Sequence, residues 1–238
     1  MDYFEFCGSV RFKLPWTSLK YKYEYKSNSS EFYLYQLLTD QVYLAALNLG
    51  LNYKLCEALS MIHGFIFCDY GNAGWNAIRE YFELKKVKID LEHIKLKILK
   101  EKIKYIDKTA DEEFFNYVEE MFFNKPKSKE VKLVLECYRI IKTLQPIKNY
   151  DTQLFYKLVE EAISKLKENS ILHNDIVNID LEIFIPKSMS KFEIELADDI
   201  KREYHNNIET IIKDLQVRYP NESLETIVYK TIYQLINE

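Results

Sequence analysis

Glycine and proline supply only five residues each in a chain of 238. A β-sandwich or barrel reverses direction every ~8–12 residues and leans on these two residues to do it. Three of the five glycines stand together in residues 64–74 (GFIFCDYGNAG), so the rest of the chain is poorer still in turn formers. Such a sequence must run in long elements with few breaks, and helices joined by short loops satisfy that best. Hydrophobic residues make up 47% and charged residues 29%, enough apolar mass for a full core.

Apolar spacing agrees with this. Ser29 or Ser30 can cap a helix carrying Phe32, Leu34, Leu37, Leu38, Val42, Leu44, Ala45 and Leu49, and Gly50 stands where it ends. Asn52 can cap the next, with Leu55, Ala58, Leu59 and Ile62 at helical intervals up to His63. After Gly74 the pattern returns through Leu84. Residues 89–106 fit either period, and their Lys, Leu and Glu content favours helix. Thr109 and Glu112 read as a capping box for a helix reaching Asn124, Ser128 caps another to about Leu144 before Pro146, and a further helix spans about 151–168. Ser190 with Glu193 opens a long helix, and 222–237 a last one. Alternation in 3–12 and 19–25 predicts a short β-hairpin within residues 1–28. The expected fold is mainly α, a multi-helix bundle in one domain, 1–238. Its weakest boundary is the extended segment 169–190, beyond which a C-terminal helical pair, 191–238, could pack by itself.

Several functions are argued against early. Thirty-three basic against 37 acidic residues give a net charge of −4 and a pI near 5.7, which speaks against a nucleic-acid coat. Cys7, Cys56, Cys68 and Cys137 form no Cys-x-x-Cys pair, so a zinc ribbon is not expected, and scattered thiols fit a reducing, cytoplasmic setting. No secretory pattern and no run of 18 apolar residues is evident, so no membrane partner is expected. No nucleophile elbow, His-Glu-x-x-His, Walker loop or Rossmann fingerprint occurs. Residues 83–104 hold eight lysines against four acids, while 110–124 hold five acids and no base. These read as solvated helix faces, with a basic face for an anionic ligand as the other reading.

One stretch carries chemistry. In 55–82 a helix ends at His63, an aromatic, glycine-containing loop follows, and a new helix starts after Gly74. The residues Leu55-Cys56-Glu57-Ala58, then His63-Gly64, then Asp69-Tyr70-Gly71-Asn72-Ala73-Gly74-Trp75 resemble the HD-domain phosphohydrolases, and within them the deoxyguanosine triphosphate triphosphohydrolase group. Those proteins carry Leu-x-Glu-Ala on a helix, then His-Asp, then a Pro-Phe-Gly-His-x-Gly-Glu loop. Upstream, Leu38-Thr39-Asp40-Gln41-Val42 looks like their Leu-Thr-His-x-x-x-Val.

The resemblance implies the HD fold, often in oligomers, together with a metal centre that this chain has altered. His63 keeps the first position of the metal-holding pair, but Gly64 replaces its aspartate. Asp40 stands near the place of the upstream histidine, Asn72 replaces the loop histidine, and Trp75 replaces the glutamate. Without the carboxylate a divalent cation loses both a ligand and a charge, and water is not activated. The leading expectation is a pseudoenzyme that binds a protein partner or a nucleotide, the latter through Tyr70, Gly71, Asn72 and Gly74, and regulates or inhibits. Its residual catalytic candidates are His63 and Asn72. A second reading is an active phosphohydrolase holding a divalent metal on Asp40, His63 and Asp69. A third is a helical interaction module of phage or mobile-element type with no enzyme ancestry. His63 reads first as a core histidine, with a vestigial ligand as the other reading, and His173-Asn174-Asp175 reads as a solvated loop.

Overall fold

Helix follows helix through the computed structural model, which describes residues 1–3, 5–7, 31–66, 78–148, 150–168, 171 and 191–237. No strand occurs among them. The helices are α1 (Glu31–Leu49), α2 (Tyr53–Ile66), a short segment at 78–84, α3 (Leu91–Ile106), α4 (Glu112–Phe122), α5 (Lys129–Lys148), α6 (Thr152–Ser164), α7 (Lys191–Arg218) and α8 (Leu224–Asn237).

Short polar side chains start them. Asn52 accepts the Leu55 N–H at 3.2 Å, Asp90 that of His93 at 2.9 Å, and Ser223 that of Thr226 at 3.2 Å. Asp111 and Asp151 do the same for α4 and α6. Each such cap stabilises its helix by about 1 kcal/mol. The acidic run at 110–124 is partly used this way. The Glu120 carboxylate accepts the N–H groups of Lys127 and Ser128 (2.9 and 2.8 Å) and the Ser128 hydroxyl (2.9 Å), holding the entry to α5.

Three helix ends close with one geometry and three different residues. A left-handed residue follows each helix and turns two N–H groups back onto its last carbonyls. Gly50 (φ 66°) does this for α1, with Gly50 bonding to Leu47 and Leu51 to Ala46. Asn124 (φ 51°) does it for α4. Lys86 (φ 56°) does it after 78–84, with Lys86 bonding to Glu83 and Val87 to Phe82. So few glycines force ordinary side chains into a conformation that favours glycine.

The structure departs from the sequence expectations at four places. Tyr3 and Glu5–Cys7 are helical, with the Phe6 N–H on the Asp2 carbonyl at 3.0 Å, where the alternation predicts the first strand. Phe6 is fully buried with its ring 5.3 Å from Phe114, and packing decides over alternation there. The rest of the expected hairpin lies outside the described residues. Thr109 does not cap α4: its hydroxyl donates to Asp107 at 2.7 Å, and Asp111, nearer the helix, takes the cap. Helix α5 runs through Pro146 to Lys148. Proline inside a helix costs ~3 kcal/mol. Buried Leu144 and Ile147 on either side continue the apolar stripe, and burying one such side chain recovers roughly 1.5–3 kcal/mol. Helix α2 likewise continues past His63 and Gly64 to Ile66.

The backbone groups into two compact units, one of Met1–Phe12, Ser30–Phe65 and Ile106–Ser188, the other of Lys13–Ser29, Ile66–Tyr105 and Met189–Glu238. In the first, α5 packs against α1, α4 and α6, and α1 also against α6. In the second, α7 packs on α8, and this pair shares a core with residues 78–98. Ile78, Phe82, Leu91, Ile94 and Ile98 meet Ile208, Val228 and Ile232, all buried. At its edge the Tyr229 hydroxyl donates to Glu101, Lys97 sits 4.4 Å over the Tyr229 ring, and Lys85 pairs with Glu209 at 3.8 Å. Part of the lysine-rich stretch therefore works inside its own unit.

Lys86→Gly should stabilise the protein by about 0.5–1 kcal/mol, because left-handed strain at Lys86 exceeds the entropy that glycine adds to the unfolded chain. A urea unfolding midpoint that stays put or falls would contradict the closing geometry at 82–87.

Candidate functional site

The polar residues of α2 that point inwards are spaced to share one face. Ser60 and His63 lie three positions apart, and residues at that spacing are helix neighbours. Both are buried, as is Thr39 on α1. The Thr39 and Ser60 hydroxyls meet at 3.2 Å, and Ser60 Oγ also donates to the Glu57 carbonyl at 2.7 Å. Thus α1 and α2 are joined by a hydroxyl contact one turn before the histidine.

His63 is 1% exposed. Its ring centroid lies 4.1 Å from that of Tyr138 on α5, tilted by 53°. Lys142, one turn along α5, has its ammonium 6.0 Å from the Tyr138 ring. Burial, reinforced by the Lys142 charge, pushes His63 from 6.5 down to about 3. The ring is therefore neutral at any physiological pH. Neutral imidazole can ligate a metal, but a divalent cation needs further donors to converge. No cluster of three or more His, Cys, Asp or Glu able to hold a metal occurs among the described residues. The thiols of α2 and α5 do not change this. Burial, then Glu130, pushes Cys56 up to about 12, and burial pushes Cys137 up further, so both stay protonated and inert.

Asp40 faces away. It follows Thr39, and one residue turns a helix by about 100°, so an inward Thr39 leaves Asp40 outward. Asp40 is exposed, and Gln36 Nε2 donates to its carboxylate at 3.0 Å. The other sequence candidates, Asp69, Tyr70, Gly71, Asn72 and Gly74, lie outside the described residues, as do His173, Asn174, Asp175 and Asp180. Of the expected ligands the structure therefore places His63 in the core and Asp40 at the surface.

A feature the sequence did not single out lies elsewhere on the same unit. A hollow of about 220 Å³ opens between the ends of α1 and α6, lined by Gln41, Leu44, Ala45 and Asn48 from one helix and Glu160 and Ile163 from the other, with three further residues. Leu44, an apolar position of the α1 pattern, is 52% exposed here, and Leu47 beside it is 44% exposed. The excess of apolar positions on α1 over one helix face was the signal available. Pairing with Glu160, over a hundred positions away, carried none.

No protein-family model, no curated protein and no solved structure matches this chain.

The sealed histidine has a pH consequence. Unfolded, an ordinary histidine takes its proton near pH 6.5, whereas folded His63 does so only near 3. Between these values the unfolded chain binds the extra proton, so stability is complete above pH 6.5 and declines as pH falls towards 3. The slope should be about 1 kcal/mol per pH unit in the window 5–6, above the range where most carboxylates titrate. Chemical unfolding of the native protein and of His63→Leu at several pH values tests this. Parallel curves for the two would show that His63 is not the group responsible.

Proposed function

We propose that this chain is a non-catalytic helical protein that regulates or inhibits by binding a protein partner. The observation that carries the proposal is the burial of His63. A catalytic or metal-holding histidine must reach substrate or cation, and an acid–base group must exchange protons near the working pH. A ring packed on Tyr138, shielded from water and beside a lysine, does neither.

The HD-like reading of residues 55–75 belongs to the same proposal. It treats His63-Gly64 as the remnant of a metal-holding pair whose histidine now serves as packing. Asp40 pointing outward, bonded to Gln36, is consistent with a ligand set that no longer assembles. Between a nucleotide and a protein as the bound partner, the half-exposed Leu44 and Leu47 of α1 favour the protein, being apolar surface of the kind that protein contacts cover. No helix among the described residues is long and apolar enough to cross a membrane.

Purified protein should release no phosphate from nucleoside triphosphates with Mg²⁺ or Mn²⁺ beyond the level of a heat-treated control, and should carry no stoichiometric transition metal. Hydrolysis that disappears in Asp40→Ala, a surface change that leaves the fold intact, would establish the phosphohydrolase instead. His63→Ala is the weaker probe, since emptying a buried site is itself destabilising by about 2–5 kcal/mol.

A further inference from the structure

We propose that the hollow between the ends of α1 and α6 is a socket for one long cationic side chain, lysine or arginine, presented by a partner protein. This rests on the protein-binding reading above and adds which surface binds and what it recognises. Size is the first ground. The space of about 220 Å³ has room for a single large side chain, not for a nucleotide or a helix.

The chemistry of the walls is the second. Ala45 and Ile163 are buried and form an apolar floor, Leu44 stands half-exposed at the side, and Gln41 and Glu160 bring polar groups to the same space. Lysine and arginine divide themselves in the same manner, with a hydrocarbon stem and a charged, hydrogen-bonding head. A purely apolar occupant would strip water from Glu160 and return nothing for it.

The field in the hollow is the third. Both helices end there, and a helix C-terminus carries roughly half a negative charge. Neither α1 nor α6 has a basic residue in its last turn to neutralise that charge. Glu160 adds a full carboxylate at the rim. Lys165, the C-cap of α6, is exposed and does not line the hollow. Two helix ends and a carboxylate around an apolar floor select a cation and repel an anion of equal size.

The test uses the intact, isotope-labelled protein and n-butylguanidinium as a stand-in for an arginine side chain, with hexanoate as the anionic control. Saturable backbone shifts confined to 41–49 and 160–166 are expected with the guanidinium and not with hexanoate. Glu160→Gln, an exposed change, should weaken binding about fivefold, the size of one partly exposed ion pair, and reduce its salt dependence. No saturable shift in the hollow, or equal binding of hexanoate, overturns the proposal. A second arm selects displayed helical peptides on the intact protein and on Glu160→Lys. Peptides rich in Arg or Lys that fail on the variant support the socket. Peptides that bind both proteins equally overturn the socket while leaving partner binding in place. A phosphohydrolase activity would instead remove the wider reading without touching the shifts.

Discussion

Helix α5 meets solvent freely nowhere between Val131 and Lys148. Leu133, Cys137, Ile140, Leu144 and Ile147 form one buried stripe and Val131, Val134 and Ile141 another, together covering well over one helix face. A helix apolar on this much of its surface must be surrounded. Helices α1, α4 and α6 pack against it directly, and α2 reaches it through the His63–Tyr138 ring contact. The unit is built inward from α5, which explains why α5 tolerates Pro146 and why charged residues on it, such as Glu136 and Arg139, are locked together by paired hydrogen bonds at 2.6 and 3.0 Å.

That arrangement also fixes what His63 can do. Tyr138 and Lys142 beside it come from α5, so the packing that stabilises the unit also helps to shut the ring away from water. Solvation, ligand geometry and protonation all follow from one placement. Chemistry at this position needs an open cavity and a carboxylate, while the core here needs a filled space. Away from this hub, the half-exposed Leu44 and Leu47 of α1 and Glu160 of α6 lie towards the ends of their helices.

Much of the helical architecture was legible from local chemistry. Asn52, Ser128 and Gly50 mark helix ends in the sequence and serve as ends in the structure, because a cap needs only a short side chain or a left-handed residue at one position. The capping-box reading at Thr109 failed because two neighbouring acids displaced it: Asp107 accepts the Thr109 hydroxyl and Asp111 accepts the Phe114 N–H at the start of the helix. The strand pattern near Phe6 failed because alternation over a few residues cannot report that an aromatic cluster around Phe114 awaits it. The site was less legible than the helices. Whether His63 faces a cation or a tyrosine turns on which residue of α5, some 75 positions onward, packs against it.

The sequence by itself determined that this chain is helical, because a polypeptide so poor in glycine and proline and so regular in its apolar spacing has few other ways to bury itself. It also determined the helix beginnings at Asn52 and Ser128, which depend on bonds between residues three apart. The tertiary structure alone decided that His63 is neutral and enclosed, that Asp40 turns outward while Thr39 turns in, and that Leu44 and Glu160 share a hollow. Those outcomes depend on contacts between distant segments, and no spacing within a single helix encodes them.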